Sequence, residues 1–515
     1  MKKRTVKLFG IIHVGSAFMS LHIVSYEAVD QIEIIERITR EVSYGEEVFQ
    51  TKRLSFESLN EMCDILKGFK RLLKEYGVRD YHVFGTTAIR EAVNRINIVD
   101  QVHIKTGFEV DVIDMPKEIY YKYFALYRHL QENRVDFGDD AVLFMDITSG
   151  GLAVTVWKSG ELLFQQNVHI GAIRVLENFS RNQRDSLAFP TALRAYVHGI
   201  LSPLWFMIEK FNIRYFVLSG AEARLIAQMM GVGTIVNNMM EIKPKRLDAF
   251  FASFGGVSAT KLMKRYHVSE NRADVLIPTL LLYEEVLHMV NVDSIIVMST
   301  SFLDGVTMYY GAEKDNDPYL QVQREQNISL ARNIGKKYQY NEKHARKLET
   351  FSLVLFESMK KIHGLTLRSS YLLRMAAILH EIGKFVNLRN HNQYSYELIM
   401  GTDIFGLSEE EKQIVANIAY YHYKGTPSDD DDDFRKLAEG QKRSIYKLVA
   451  IFRLARALDQ GHDEKIISIG ATMKKNALEI VYKANADISL ERWTFAKEAS
   501  YFQEVFGVKP ILIKK

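Results

Sequence analysis

One stretch near the middle of the chain combines a carboxylate with small residues. The apolar residues 141–145 end at Asp146, small residues follow at 148–151, and residues 152–157 form a second apolar run. A glycine-rich turn between two strands can direct backbone N–H groups at an anion. A carboxylate at the strand end can hold a metal ion that neutralises such an anion. The pattern therefore predicts an anion-binding turn with Asp146 as a metal ligand.

A similar turn lies close to the N-terminus, at Gly15 and Ser16, between two further predicted strands. Superposing the two passages places His13 opposite Asp146 and Ser16 opposite Ser149. The two passages share a pattern of strands and turns but not the same residues, so the internal duplication is weak. It predicts two α/β lobes with a cleft between them, which is a common place for a ligand site.

Arg90 supplies a possible fixed cation for such a cleft. It follows the short predicted strand at residues 81–84, in a turn that opens a helix. Its planar guanidinium matches the geometry of phosphate oxygens. Two facing turns and Arg90 would bind a phosphate chain, whereas ordinary hairpin turns explain the same glycines without any ligand.

A second set of candidate residues lies on predicted helices in the C-terminal half. Imidazoles and carboxylates on facing helices can build a one- or two-metal site in a helical core. A divalent transition metal held there would activate water against a phosphoester. A single histidine on a helix usually serves packing, but several in this order are more specific. The candidate ligands are His344, His380, Glu381, His422 and Asp459, with His391 between them in the sequence.

The order of strand and helix patterns predicts how these residues are positioned. The chain is expected to be α/β followed by all-α, with a small α+β cap at its C-terminal end. The polar residues 311–324 predict a linker. The expected domains are residues 1–127 and 128–312 for two lobes, 325–462 for the helical domain and 463–515 for the cap.

Composition excludes several classes of protein. Lys and Arg total 67 against 63 for Asp and Glu, and a net charge of +4 is too small to indicate a nucleic-acid partner. The single cysteine, Cys63, permits no disulfide within the chain, which fits a reducing compartment. The basic residues at positions 2–7 precede an apolar run that His13 and Ser16 interrupt, which favours a buried strand over a signal peptide. No run approaches the roughly 18 apolar residues of a membrane span, so we expect a cytoplasmic protein without a membrane partner.

These motifs, in this order, resemble the exopolyphosphatase / guanosine pentaphosphate phosphohydrolase (Ppx/GppA) family along nearly the whole chain. Its first-strand turn and its Thr-Ser-Ala-x-Arg stretch are matched at residues 13–18 and 86–94. Further matches are residues 170–174 and 272–278. Residues 379–384 resemble the Leu-His-Asp-Ile-Gly-Lys motif of HD-type helical domains. Several collinear matches are far more specific than a single glycine motif.

The resemblance implies two actin-like (ribonuclease-H-like) lobes with phosphate bound between them, followed by an HD-type helical domain. It implies release of terminal phosphate from polyphosphate, or of the γ-phosphate from guanosine pentaphosphate (pppGpp). It also implies a glutamate as general base, a Mg²⁺ ion near Asp146 and a homodimer. Glu118 is the carboxylate that remains in the general-base segment. The phosphate-binding residues that the resemblance implies are Gly15, Ser16, Arg90, Ser149, Gly150, Gly151 and Gly220.

The chain departs from the family pattern at several of these positions. His13 stands in place of an aspartate, Ala153 in place of a glutamate, and Lys117 lies beside Glu118. The pattern does not decide whether Lys117 or Glu118 faces the substrate. In the helical domain Glu381 replaces an aspartate and adds one methylene to a metal ligand. Changes that cluster at one cleft predict weakened or lost polyphosphate hydrolysis.

Three functional interpretations follow. The first is an exopolyphosphatase-like hydrolase of weakened activity, acting at the cleft between the lobes. The second is a sensor that binds polyphosphate or a guanosine nucleotide without turning it over. The third is a metal-dependent phosphohydrolase that acts through the helical domain.

Overall fold

The computed structural model places the chain in two compact units, residues 1–323 and 324–515. The expected fold class, α/β followed by all-α, is confirmed. Among the helices that the structure describes, none is both long enough and apolar enough to cross a membrane. The described residues are 7–27, 31–184, 186, 188–231, 239–253, 259–266, 270–298, 300–423 and 425–515.

The first unit begins with a five-stranded sheet, which together with its helices is called the first lobe. Its strands are β1 (Lys7–Val14), β2 (Phe18–Tyr26), β3 (Ile32–Glu41), β4 (Asp80–Gly85) and β5 (Val110–Val112). They lie in the order β3-β2-β1-β4-β5, with β1 antiparallel to β2 and parallel to β4. The predicted first strand is thus confirmed, while the basic residues at positions 2–6 lie outside the described residues. The helices are α1 (Tyr44–Thr51), α2 (Phe56–Glu75), α3 (Thr87–Glu91), α4 (Arg95–Thr106) and α5 (Met115–Glu132).

A six-stranded sheet forms the second lobe of the same unit. Its strands are β6 (Ala141–Ile147), β7 (Leu152–Lys158), β8 (Glu161–Val168), β9 (Ile213–Ser219), β10 (Met239–Ile242) and β11 (Ser294–Met298). The strands lie in the order β8-β7-β6-β9-β11-β10. The first five of them repeat the strand order of the first sheet, and β10 is an additional edge strand. The two actin-like lobes are therefore confirmed. The helices are α6 (Ala172–Glu177), α7 (Arg181–Arg184), α8 (Phe189–Ile208), α9 (Ala221–Met229), α10 (Pro244–Ser253), α11 (Ala259–Tyr266) and α12 (Glu270–His288). The next helix, α13 (Phe302–Asp315), returns to the first lobe and packs on α5 and β1.

Helix α5 positions the candidate site of the first unit. Asp114 caps its N-terminus by accepting a hydrogen bond from the amide of Lys117 at 2.8 Å, and Pro116 suits its first turn. The helix is buried on most sides, which marks it as internal rather than as a surface helix. Glu118 and Lys122 stand four residues apart, so they share one face of it.

The second unit has an all-α core and a small sheet. The strands β12 (Ile466–Met473), β13 (Ala477–Ala484) and β14 (Lys509–Lys514) lie in the order β12-β13-β14. A 3₁₀ helix covers Ile382–Phe385. Helix α14 (Pro318–Lys337) includes the boundary between the units. The α-helices that follow are α15 (Glu342–Ser358), α16 (Lys360–His363), α17 (Leu367–Leu379), α18 (His391–Met400), α19 (Glu409–Tyr421), α20 (Asp432–Arg435), α21 (Glu439–Ala457) and α22 (Ser489–Phe506).

The predicted linker at residues 311–324 is wrong. Helix α13 runs to Asp315 and α14 begins at Pro318, so Asn316 and Asp317 alone separate them. Asn316 takes the left-handed conformation that commonly ends a helix, and proline suits the first turn of the next one. Most of the polar residues lie on exposed faces of these helices, while Asp317 between them and Gln323 in α14 are buried, and composition alone does not distinguish this arrangement from a linker.

Candidate functional site

A buried ion-pair network joins the two lobes of the first unit. Lys122, on α5, places its ammonium 2.8 Å from Oδ2 of Asp146, on β6. Glu118 lies one turn earlier on α5, with Oε1 3.8 Å from the same ammonium. Ser219, at the end of β9, donates its hydroxyl to Oδ1 of Asp146 at 2.8 Å. Both carboxylate oxygens of Asp146 therefore have partners.

The charge of Lys122 depends on these partners. Burial by itself lowers the pKa of the ammonium, because the charged form loses its hydration. The attraction of Asp146 and Glu118, the hydrogen bond to Asp146 and the nearby Glu222 outweigh burial and raise the pKa of Lys122 above its ordinary value. The interface between the lobes therefore contains a permanent cation at neutral pH.

Arg90 extends the network into the first lobe. Its Nη1 lies 3.4 Å from Oε2 of Glu118 and donates to the carbonyl of Ile113 at 2.9 Å. Its Nη2 donates to the hydroxyl of Thr87 at 3.1 Å. Glu118 is thus held between two cations, one on each side of its carboxylate.

The geometry of α5 decides which member of the Lys117–Glu118 pair faces the cleft. Glu118 is 4% exposed and contacts Arg90. Lys117 points away and pairs at 3.4 Å with Asp111, whose side chain is 57% exposed. Any general base supplied by this segment would therefore be Glu118.

The glycine turn of the second lobe meets the first lobe at the same network. A Cβ added to Gly150 would lie 2.5 Å from Cγ2 of Thr87 and 3.5 Å from Nη2 of Arg174. Arg174 pairs with Glu91, the residue that follows Arg90. Only a residue without a side chain allows the lobes to approach this closely. The turn therefore brings its backbone next to the guanidinium of Arg174 and to Thr87, which accepts a hydrogen bond from Arg90.

The other predicted phosphate-binding residues have mixed roles. The amides of Gly15 and Gly151 donate hydrogen bonds within their own turns. The carbonyl of Ser149 accepts hydrogen bonds from amides in the first turn of α6. Gly220 has a φ of +107° and lies beside the carboxylate at the end of β6. The buried hydroxyl of Ser16 has no hydrogen-bond partner among the described residues, which leaves it available to a ligand.

His13 contributes no charge to the cleft. Its Nε2 lies 2.9 Å from the hydroxyl of Thr86. Burial, followed by the charges of Lys122 and His22, lowers the pKa of His13 to about 3. The imidazole is therefore neutral near pH 7 and replaces neither a carboxylate nor a phosphate-binding cation.

Acid should destabilise the first unit partly through His13. An unfolded histidine takes up a proton near pH 6.5, whereas folded His13 resists protonation down to about pH 3. As the pH falls below about 6.5 the unfolded state gains protons and folding weakens, by up to ~2 kcal/mol at about pH 5. We expect the amides of β1 to lose less hydrogen-exchange protection between about pH 7.5 and 5 in His13→Asn than in the wild type. Equal losses in the two proteins would contradict this assignment.

Close packing against α13 fixes the position of α5. A Cβ added to Gly305 would lie 2.6 Å from the carbonyl carbon of Tyr121 and 2.9 Å from the amide nitrogen of Lys122. Because these are backbone atoms, the helix itself would have to shift, and we expect Gly305→Ala to cost about 1–3 kcal/mol. The control Gly68→Ala, in α2 with no atom within 4 Å, should be neutral or stabilising by about 0.5–1 kcal/mol. Thermal unfolding of both variants is the measurement, and similar midpoints would contradict the prediction.

The side chains around Asp146 do not fit the Mg²⁺ ion that the resemblance implies. One oxygen of Asp146 pairs with Lys122 and the other accepts from Ser219. The neutral His13 stands at the corresponding position of the first lobe. Magnesium needs open oxygen ligands, and the described residues offer an ammonium instead.

Two overlapping triads of possible metal ligands lie in the core of the second unit. One consists of His344, His380 and Glu381, and the other of Glu381, His391 and His422. Within each triad the ligand atoms lie within 4.8 Å of one another, and all five residues are buried. Because Glu381 belongs to both triads, its carboxylate could bridge two ions.

Backbone carbonyls orient the imidazoles for metal binding. Nδ1 of His380 lies 3.0 Å from the carbonyl of Ala377, and Nδ1 of His422 lies 2.5 Å from that of Ala419. When Nδ1–H donates to a carbonyl, Nε2 carries the lone pair that binds a metal. Nε2 of His380 and Nε2 of His344 are buried without a hydrogen-bond partner among the described residues. Such nitrogens suit a metal ion.

The protonation states also fit a metal. Burial lowers the pKa of His380, His391 and His422, so these imidazoles are neutral at pH 7. Burial opposes the ionised form of Glu381, but the charge and hydrogen bond of the Lys384 ammonium help to outweigh it, and the pKa of this carboxylate is lowered. The Lys384 ammonium lies 2.6 Å from Oε1 of Glu381, yet its side chain is 36% exposed and can turn into solvent. Neutral imidazoles with an ionised carboxylate suit a divalent transition metal.

Asp459 lies behind the first triad. Its Oδ2 lies 2.7 Å from Nδ1 of His344, and its Oδ1 accepts a hydrogen bond from the amide of Glu464 at 3.1 Å. A carboxylate in this position orients an imidazole ligand. A direct bond from Asp459 to a metal stays a prediction.

Sequence reasoning missed Lys122 and His462. The spacing of Lys122 from Glu118 was the available signal, since residues four apart meet on a helix. His462 carried no signal beyond its closeness to Asp459 in the sequence, yet its ring stacks on His344 with centroids 3.7 Å apart. Within the matched residues 272–278, the side chains of Arg272 and Asp274 lie outside the described residues.

Family profiles match both units. The profile described as the Ppx/GppA phosphatase family covers residues 22–310. The profile described as Ppx/GppA phosphatase, domain III, covers residues 327–499. The resemblance found in the motifs is therefore matched over most of the chain.

Curated relatives and solved structures agree with these profiles. The guanosine-5'-triphosphate,3'-diphosphate pyrophosphatase of Photobacterium profundum is 21% identical over 421 residues, which are 80% of this chain and 79% of the relative. The protein of the same name from Pseudoalteromonas translucida is 20% identical over 494 residues, 92% of each chain. An exopolyphosphatase structure from Cytophaga hutchinsonii has a TM-score of 0.51 at 19% identity, covering 60% of this chain and 98% of that chain. The structure of the Aquifex aeolicus member of the Ppx/GppA family has a TM-score of 0.51 at 21% identity, with 60% and 99% covered. At these identities the structures show the shared fold alone.

Proposed function

The chain belongs to the Ppx/GppA phosphatase family, and on that basis we propose that its first unit hydrolyses a terminal phosphoanhydride in the cleft between the lobes. The proposed substrates are polyphosphate or pppGpp, with slow turnover. The names of the similar proteins, a guanosine-nucleotide pyrophosphatase and an exopolyphosphatase, support this substrate class.

One observation carries the proposal. Arg90, Glu118, Asp146 and Gly150 come from separate stretches of the sequence and meet at one network between the lobes. A guanidinium, a glycine turn and a buried carboxylate are the groups that phosphate binding and proton transfer require. Packing alone does not demand that they converge.

In the proposed reaction Glu118 takes a proton from water as the water oxygen attacks the terminal phosphorus. The bond from phosphorus to the bridging oxygen breaks, and the shortened chain leaves. Arg90 and Lys122 offset the negative charge on the transferred group. Because both cations hold Glu118, the substrate must first draw Arg90 away from it, and this competition is the reason we expect slow turnover.

Phosphate release by the full-length protein, measured with polyphosphate and with pppGpp, tests the proposal. Calorimetric titration with the same ligands distinguishes the sensor alternative. Release above the rate of a protein-free control supports hydrolysis. Binding without release supports a sensor, and the absence of both contradicts a phosphate site in the cleft.

A second candidate function rests on the two triads of the second unit. His344, His380 and Glu381 would hold one ion, and Glu381, His391 and His422 a second. A bound ion there would supply Lewis acidity and lower the pKa of a bound water. We propose metal-dependent hydrolysis of a phosphoester as the activity that this arrangement suits. Metal content of the purified protein is the first test of it.

A further inference from the structure

Lys122 occupies an unusual position for a lysine. Its side chain is 12% exposed, and the side chains of its two carboxylate partners, Asp146 and Glu118, are 8% and 6% exposed. Lysine is seldom buried unless it is paired. Here the pair spans the cleft, because Asp146 belongs to a strand of the second lobe and Glu118 to α5.

A cation in this place has a definite chemical effect. Without one, two buried carboxylates would repel each other and would repel any phosphate group. A divalent metal ion bound by both carboxylates would remove that repulsion. The ammonium of Lys122 removes it with a group that is part of the chain. Glu222 is a third carboxylate that attracts this ammonium, whereas the neutral His13 nearby adds no charge.

The donors of Lys122 also leave room for a ligand. An ammonium has three N–H donors, and Asp146 and Glu118 account for two directions. Glu222 also attracts this ammonium, so a phosphate oxygen would compete with that carboxylate for the third N–H; lysine binds phosphate well as a point charge. Arg90 contacts Oε2 of Glu118, whereas Lys122 contacts Oε1. The two cations are therefore close enough to bind the same phosphate chain.

We propose that Lys122 is the built-in cation of this cleft, so that a phosphate chain binds there without a divalent metal ion. The inference rests on the proposed function of the first unit and specifies how that site is charged. It applies to binding at the cleft alone, since the triads of the second unit are separate metal-ligand candidates.

Calorimetric titration of the full-length protein with tripolyphosphate tests this inference, once in EDTA and once with excess free Mg²⁺. We expect the wild-type Kd to differ by less than about 3-fold between the two conditions. Lys122→Met should weaken binding in EDTA by about 10- to 100-fold, the effect of losing a charged hydrogen-bond donor. Magnesium should then restore part of the affinity, because Asp146 and Glu118 become free to bind it.

The matched control is Lys117→Met, which removes the neighbouring lysine of α5 that pairs with the exposed Asp111. It should bind tripolyphosphate as the wild type does in both conditions. Because Lys122→Met leaves two buried carboxylates without their cation, Lys122→Met/Asp146→Asn provides a second variant that removes one of these charges. If neither variant folds, the wild-type titrations in EDTA and in Mg²⁺ decide the question without them.

The outcomes separate this inference from the proposed function. Wild-type binding that requires Mg²⁺ overturns the built-in cation and leaves the cleft as a phosphate site. Equal affinities of folded Lys122→Met and the wild type in EDTA also overturn the inference alone. No binding of tripolyphosphate in either condition overturns both.

Discussion

Glu118→Gln should lower phosphate release from polyphosphate or pppGpp by about 100-fold or more, the usual contribution of a general base. Glutamine has nearly the same shape and can still accept a hydrogen bond from Arg90, but it cannot take a proton from water. Substrate affinity should stay equal or rise, because the neutral amide keeps the shape of the side chain but no longer holds Arg90 and Lys122 by its charge or repels phosphate. The measurement is the steady-state rate of phosphate release, with Kd from calorimetry as the second readout.

Asp111→Asn is the matched control for this substitution. Asp111 precedes α5, is 57% exposed and pairs with Lys117 outside the cleft. Its rate should equal that of the wild type. If Glu118→Gln releases phosphate at the wild-type rate, Glu118 is not the base. Hydrolysis that then depends on added transition metal would move the chemistry to the second unit.

The lobes and their turns were accessible from sequence because local patterns determine them. The apolar run before Asp146 and the glycines after it predicted a strand and a turn, and the observed β6 and β7 have this arrangement. The charge of the cleft was not accessible in the same way. Lys122 stands four residues after Glu118, a spacing that usually indicates an ion pair on a solvated surface. The structure shows instead that α5 is buried and that Lys122 faces Asp146, so this spacing marks an internal ion pair.

The same limit applies to the pair Lys117 and Glu118. Neighbouring helical residues point about 100° apart, so one of them faces inward, but the choice depends on how the helix is rotated. That rotation follows from the close packing of α5 on Gly305, almost two hundred residues later in the chain. Such distant contacts leave no local pattern around position 118.

The helical triads were partly predictable for a related reason. His380 and Glu381 are adjacent in the sequence, and their motif indicated a metal site. His344 and His422 come from distant helices, and their convergence with this motif is visible only in the fold. Asp459 shows the remaining difficulty, because residue type alone does not distinguish a metal ligand from a carboxylate that orients His344.

Glu381→Gln should remove transition-metal binding from the second unit almost completely. Glu381 is the only carboxylate in either triad and belongs to both, so its loss affects both candidate positions at once. We expect the wild type, loaded with Mn²⁺ or Co²⁺ and passed through a desalting column, to retain up to two ions per chain. Glu381→Gln should weaken retention by at least about 100-fold, more than the loss of an outer carboxylate costs. Elemental analysis and the visible spectrum of bound Co²⁺ measure the effect.

Two further variants make the result specific. Glu357→Gln, on the exposed face of α15, should retain metal like the wild type. His391→Gln removes a ligand of the second triad only and should leave the ion at His344, His380 and Glu381 in place. Retention that falls stepwise, first with His391→Gln and then with Glu381→Gln, would demonstrate two positions that share a carboxylate. A wild-type protein that retains no transition metal would instead leave the buried imidazoles as packing residues and place any hydrolysis in the cleft of the first unit.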